Sequence, residues 1–312
     1  YVFLRKRVFM SAIPVVAEAV PVGVPVVAEV GTEVPLKYTA AAGAGSLRGG
    51  PAREVMDASK GLLIQQKFDI AEMLCPGLVK NQYKIKDDRG CDTSKETSSD
   101  GFEKTPYKDE KTLWKVKEES ECIDMVCCGK WRTMKLHFHA KNKKGPVQYE
   151  MDRPFACTLN CGCFLVNPQT AHLSAEGNNI GQVQHDFRWV DECLCKRWWK
   201  ITDAGGNPKW YFKQDFCLSG NCCAPSPCCP VHRVDILDKA EQSTDGYLNA
   251  MWPGCNLKAL FGGSLRSSYH LKFPSNADAD DKALLMTGMF LVEYMAFESQ
   301  DKDENQNSMQ LV

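Results

Sequence analysis

A chain of 312 residues with 44% hydrophobic content can bury a sizeable core, as one large domain or two small ones. Lys and Arg number 38 against 39 Asp and Glu, for a net charge of -1. No global basic field is available to hold nucleic acid, so an anionic partner has to meet a local patch. The 16 cysteines fall partly in adjacent pairs, Cys127-Cys128, Cys222-Cys223 and Cys228-Cys229. That clustering reads as metal ligation or S-acylation in a reducing compartment rather than as a disulfide framework.

Near the start, Pro14, Pro21 and Pro25 break the apolar stretch and Glu18 and Glu29 charge it, unlike a secretory signal. Met10 offers a natural start, which would leave residues 1–9 as leader or fragment edge. PVVAE occurs at Pro14–Glu18 and again at Pro25–Glu29 in a Val, Ala, Pro and Gly composition. Residues 1–57 are therefore expected to be a disordered Val/Ala/Pro-rich segment.

Order is expected from about Ala58. There SKGLLIQQKFDIAEMLCPG carries apolar residues that cover one sheet edge or form a short helix before Pro76. Period-two alternation then predicts strands in NQYKIKD, TLWKVKEE and RTMKLHFHA, with residues 88–111 as a solvated loop between the first two. Further short strands are predicted in GPVQYEMDRP, CGCFLVNPQ, NIGQVQHDF, RWWKITDAGGNPKWYFK, HRVDILD, GYLNAMW and YHLKFP. Many short, evenly spaced strands argue a barrel or sandwich.

The stretch NADADDKALLMTGMFLVEYMAFES at residues 276–299 breaks this rhythm. Asp278, Asp280 and Asp281 suit the first turn of a helix, with Asn276 or Asp278 as N-cap. From Ala283 to Phe297 nearly every residue is apolar, Glu293 being the one charge. Such a helix is about 22 Å long, against about 30 Å for a bilayer core. It is expected over about residues 280–298 as a plug enclosed by strands, presenting Leu284, Leu285, Met289, Phe290, Leu291, Tyr294 and Phe297 to the core, or alternatively to a membrane.

Other chemistry is sparse. CLSGNCCAPSPCCP (Cys217–Pro230) offers Cys222, Cys223, Cys228 and Cys229 as zinc thiolates, although C-C-x4-C-C is not a standard knuckle. Acylation and inert thiols are the alternatives. None of the six histidines accompanies a nucleophile and carboxylate in a recognisable order, and P-loop, Rossmann and zincin motifs are absent. No covalent catalysis is expected.

These landmarks in series resemble the phospholipid scramblase family from about Gly61 to Ser299. Glu118–Arg132 (EESECIDMVCCGKWR) resembles the family's acidic-Cys-Cys-Cys-Gly-x-x-Arg element, and Arg153-Pro154-x-x-Cys157 its Arg-Pro-x-x-Cys step. Ile180-Gly181-x-Val183, Gly246-x-Leu248, Trp252-x-Gly254, Phe273-Pro274, Asp278 and Lys282-Ala283 follow, and FLVEYMAFES resembles the family's ending. The resemblance implies a mainly β, closed tubby-like barrel of about twelve strands around the hydrophobic C-terminal α-helix. That barrel would occupy residues 58–299, followed by a polar tail at 300–312.

The resemblance also implies a membrane-associated protein at the cytoplasmic face of the plasma membrane, moving phospholipids between leaflets in both directions without ATP, with calcium as trigger. It makes Cys157, Cys161 and Cys163, what remains here of a denser cysteine run, the candidates for palmitate as a lipid anchor, the alternative being buried or loop thiols. The calcium segment departs from the family, with Leu265, Ser267 and Asn276 where carboxylates are expected. Calcium wants about six to eight oxygens. Asn276, Asp278 and Asp280 are its candidate ligands, the alternative being that these residues simply begin the helix. The expected partners are the phospholipid bilayer, including anionic lipids, and further copies of the chain in a homo-oligomer. The rival expectation is a non-transporting tubby-like module that binds anionic head groups or a protein partner, with Lys141, Lys143 and Lys144 as its contacts.

Overall fold

The computed structural model describes residues 50–66, 80–88, 112–120, 132–140, 145–156, 168–194, 196–215, 231–251 and 268–297. Expectations for other positions lie outside these residues. Among the described residues, strands form at β1 Gly61–Gln66, β2 Gln82–Asp87, β3 Thr112–Glu119 and β4 Met134–Ala140. Next come β5 Val147–Arg153, β6 Thr170–Ala175, β7 Asn178–His185 and β8 Lys196–Asp203. The series ends with β9 Pro208–Asp215, β10 Val231–Asp238, β11 Ser243–Met251 and β12 Ser268–Lys272.

Each strand pairs antiparallel with its neighbours in sequence, and β1 pairs with both β2 and β12, closing a twelve-stranded barrel. Closure leaves no unpaired strand edge. Strand alternation decides what faces inward: in β4, Met134, Leu136 and Phe138 are buried while Lys135 is exposed.

Among the described residues a single helix, α3, occupies the interior, running from Ala279 to Val292, with all of its residues buried except Asp280. A π-helical turn, Glu293–Phe297, continues it. Its start is a reciprocal capping box: Asp278 accepts from the Asp281 backbone N–H at 2.8 Å, and Asp281 accepts from that of Asp278 at 3.4 Å. Leu284, Leu285, Met289, Phe290, Leu291 and Tyr294 all belong to the buried core, as the plug reading expects. Phe290 meets Tyr83 and Phe138 edge-on, with ring centroids 5.0 and 5.5 Å apart. At Gly288 a Cβ would come within 2.7 Å of the Phe212 ring, so only glycine lets helix and wall approach this closely. No helix among the described residues is long and apolar enough to cross a membrane.

Three local features differ from expectation. Pro51–Ala58 form a helix, α1, within the stretch expected to be disordered. Pro51 enters it at N1, and Ala52 and Met56 are buried on the core. Gly61–Gln66 is not an edge cover or a helix but the strand that closes the ring. β6 (TAHLSA) was not in the predicted series, because its inward residues are only Ala171, Leu173 and Ala175 and its alternation is weak. A short helix, α2, spans Trp189–Cys193.

Candidate functional site at the two ends of the central helix

At the amino end of α3, charge is locked into structure. The Lys282 ammonium donates to the carbonyl oxygens of Met56, Asp57 and Ser59 at 2.9, 3.0 and 2.9 Å, satisfying acceptors at the end of α1. Burial pushes its pKa down. Arg53 of α1 reaches Asp280 at 3.3 Å, and Lys209 reaches Asp281 at 3.4 Å. Burial holds both aspartates above the usual carboxylate range, with Asp278 adding repulsion.

Of the three candidate calcium ligands, Asn276 is exposed in the preceding turn, Asp278 is the N-cap and Asp280 is ion-paired. Among the described residues no three His, Cys, Asp or Glu side chains gather in a metal-binding group. As arranged, the Asp278 carboxylate caps α3 and the Asp280 carboxylate pairs with Arg53.

The carboxyl end is enclosed by a polar collar. Glu118 continues the inward parity of Trp114 and Val116, Arg132 that of Leu136 and Met134, and Arg153 that of Tyr149 and Met151. Gln169, Gln214 and His232 do the same ahead of or along their strands, and all six are buried. On β3 to β6, β9 and β10 the last inward position is therefore polar where the positions above it are apolar.

Around Glu118 and Arg153 the collar's contacts are well satisfied, whereas the buried Gln214 Oε1 has no hydrogen-bond partner among the described residues. Glu118 accepts from Arg132 at 2.9 Å, from Ser120 at 2.7 Å and from the Asn81 backbone N–H at 3.0 Å. Arg153 donates twice to Gln169, at 3.0 and 2.7 Å, and Gln169 donates to the Ala156 carbonyl. Both guanidinium groups lie over the Tyr294 ring, 5.7 and 5.6 Å from its centroid. The Tyr294 and Tyr83 hydroxyls are 3.2 Å apart, and burial followed by nearby Glu293 raises the Tyr83 pKa strongly. Glu293, the charge within the apolar run, is buried beside this layer.

The collar was missed as a unit because its members lie far apart in sequence. Charged residues at the inward parity of apolar strands are the signal that exposes it.

The scramblase family model matches residues 45–299, which takes in α1, the full ring of strands and the central helix. The chain belongs to the scramblase family. Among its relatives, Phospholipid scramblase 1 of Homo sapiens is 23% identical over 259 residues, covering 83% of this chain and 70% of the relative. Phospholipid scramblase 1 of Mus musculus is 23% identical over 258 residues, covering 82% and 67%. Phospholipid scramblase 2 of Bos taurus is 24% identical over 249 residues, covering 80% and 72%. No solved structure matches the chain.

In this scramblase-family barrel, the resemblance motifs acquire physical roles. Arg132 ends one of those motifs and Arg153 begins another, and both belong to the collar. Gly246 approaches Pro274, where a Cβ would meet the ring at 2.7 Å, which ties the Gly-x-Leu and Phe-Pro motifs together. Gly181 has a φ of 156° and a Cβ there would strike the Thr202 carbonyl. Lys282 joins α1 to α3.

The candidate acylation residues Cys157, Cys161 and Cys163 and the candidate zinc residues Cys222, Cys223, Cys228 and Cys229 lie outside the described residues, as do Lys141, Lys143, Lys144 and the Phe297 side chain. Every cysteine except Cys91 falls in sequence between strand ends at the collar's mouth.

On the outer wall, Arg188 stacks over Trp198 at 3.9 Å and binds Asp186 and Glu241. The hydrogen bonds that its guanidinium donates to Glu241 hold the Arg188 pKa above its ordinary value. Beside it, Trp189 and Val190 of α2 are 68% and 74% exposed, whereas Trp198, Trp199 and Trp210 are buried in the wall.

Proposed function

We propose that this scramblase-family protein acts at a phospholipid bilayer, promoting ATP-independent movement of phospholipids in both directions between leaflets. The observation that carries the reading is the family match across residues 45–299, which spans the whole barrel and its helix rather than a fragment. The collar gives the barrel a polar interior layer at one mouth. The enclosed α3, about 21 Å long by its rise, is not a conduit by itself, since a head group crossing hydrocarbon needs hydrated or thinned bilayer.

Attachment is assigned to palmitate on Cys157, Cys161 and Cys163 at the cytoplasmic face of the plasma membrane. Each buried methylene contributes about 0.8 kcal/mol and stable anchoring takes two signals, so two acyl chains are required. Zinc held by Cys222, Cys223, Cys228 and Cys229 is the alternative use of the second cysteine group, and metal analysis of protein purified without chelator separates the two. Self-association into a homo-oligomer completes the reading.

Calcium belongs to it as a trigger. An ion drawing on Asn276, Asp278 and Asp280 has to displace Arg53 and uncap α3. Calorimetric heat on adding calcium that disappears in D278A/D280A supports that role.

The second reading, a module that binds anionic head groups or a protein partner without moving lipid, is favoured by the burial of every α3 residue but Asp280. Vesicles containing the protein and a fluorescent lipid, treated with an outside-only quencher, decide between them. Quenching that proceeds beyond the outer leaflet's share supports scrambling. Quenching that stops there, with and without calcium, leaves the binding module.

A further inference from the structure

Strand register assembles a row of three lysines and two histidines on the outside of β2, β3 and β4. Lys84 stands directly opposite Lys115, which stands directly opposite His139 on the next strand. One pair further along, Lys117 stands opposite His137. These residues alternate with the inward Tyr83, Ile85, Trp114, Val116 and Phe138, so they share one outer face. Like charges directly opposite each other on a ladder destabilise it.

The nearby carboxylates are already engaged. Glu119 binds His137 at 2.8 Å, which lowers its pKa, and Glu150 binds Lys135 at 3.2 Å. Lys84, Lys115 and Lys117 make no salt bridge to any described residue. His139 donates Nδ1–H to the Gly145 carbonyl at 2.9 Å, so it adds no acid to the face. With a net charge of only -1 over the whole chain, the excess of cations here is a local concentration, balanced by acids elsewhere.

We propose that the β2–β4 wall docks the protein flat against an anionic bilayer surface, with Lys84, Lys115 and Lys117 contacting lipid phosphate and carboxylate groups. Charge complementarity selects that occupant: an ammonium on a flexible stem matches a plane of mobile anionic head groups without a fixed geometry. The proposal rests on the bilayer reading above only in needing a membrane. It places contact on the wall of the barrel, on the far side of the ring from the exposed Trp189 and Val190.

Sedimentation of the full, unacylated chain with preformed vesicles tests it, using phosphatidylcholine alone and phosphatidylcholine with phosphatidylserine. Each lysine near an anionic surface contributes about five-fold in binding. K84Q/K115Q/K117Q is therefore expected to lose about a hundred-fold in partition onto the anionic vesicles, and wild-type binding falls steeply with salt. K200Q/K213Q/K239Q removes the same charge from the other side and is expected to bind within a few-fold of wild type. Equal losses in the two triple variants would reduce the effect to net charge and overturn the assignment. Full binding by the first variant, or loss in W189A instead, also overturns it. Scrambling is scored separately on detergent-reconstituted protein, so absent scrambling with lysine-dependent binding defeats the transport reading and leaves the dock standing.

Discussion

Lys282 occupies a site where an ammonium would be costly without partners, buried where α1 meets α3. Its three carbonyl partners turn that cost into a joint between elements more than two hundred residues apart. K282M keeps the aliphatic stem but removes the ammonium from all three carbonyls, with Met56 O still accepting from the Ser59 backbone N–H, and is expected to cost about 3 kcal/mol. Urea denaturation would read this as a lower midpoint at unchanged slope. His232 makes the opposite choice and stays neutral. Gln214 donates to its Nε2 at 2.7 Å, and burial pushes its pKa down to about 4. A depressed folded-state value means that its contribution is fully present above pH 6.5 and is lost as pH falls toward 4. The full linkage is worth about 3 kcal/mol. Asp280 and Asp281 run the other way, since their raised values make the charged forms a cost that disappears on acidification. Chemical denaturation at pH 7.5 and 4.5 should thus show a smaller acid loss in H232Q than in wild type, and an identical loss would remove His232 from the account.

Among the elements, α3 is the one most legible in sequence, because uniform apolarity, a short length and an acidic start each point to an enclosed helix. Asp278 is the N-cap, one of the two residues that the pattern offered. Replacing it by alanine dismantles both halves of the capping box and is expected to lower stability by about 1–2 kcal/mol in thermal or urea unfolding. Gly288 was not legible, since a glycine amid apolar residues announces nothing until Phe212 of β9 is seen against it. G288A forces a methyl into that ring contact and is expected to cost about 1–3 kcal/mol, provided that Phe212 cannot swing aside. The paired variant G288A/F212L, which opens the space, should recover part of the loss. Helix α1 was hidden for another reason: its Val/Ala/Pro-rich flank imposes a disordered composition, and the stabilising contacts, Arg53–Asp280 and Met56 in the core, come from the far end of the chain. Local pattern finds strands such as β3 and β10 readily, but it fails where the inward residues are small, as in β6.

At the scale of the whole molecule, closure was readable as a need: an apolar helix too short for a bilayer requires a wall around it. The collar was not, because each polar residue looks like an ordinary strand end until the ring brings Glu118, Arg132 and Arg153 around Tyr294. The same geometry bears on whether α3 leaves the barrel during work at a membrane. A bilayer could replace the apolar contacts of Leu284, Leu285, Phe290 and their neighbours, so the hydrophobic term alone does not hold the helix in place. What lipid cannot replace is the hydrogen-bonded Lys282, the Arg53–Asp280 pair and the buried surroundings of Glu293. At about 21 Å, moreover, the released helix falls short of hydrocarbon about 30 Å thick. The helix is therefore expected to stay enclosed while the barrel is membrane-bound. In hydrogen exchange, the amides of Ala283–Val292 should remain as protected with anionic vesicles as without them, at a level matching the barrel strands. Selective deprotection of that segment on adding vesicles, with β4 and β9 unchanged, would instead show the plug withdrawing from an intact wall.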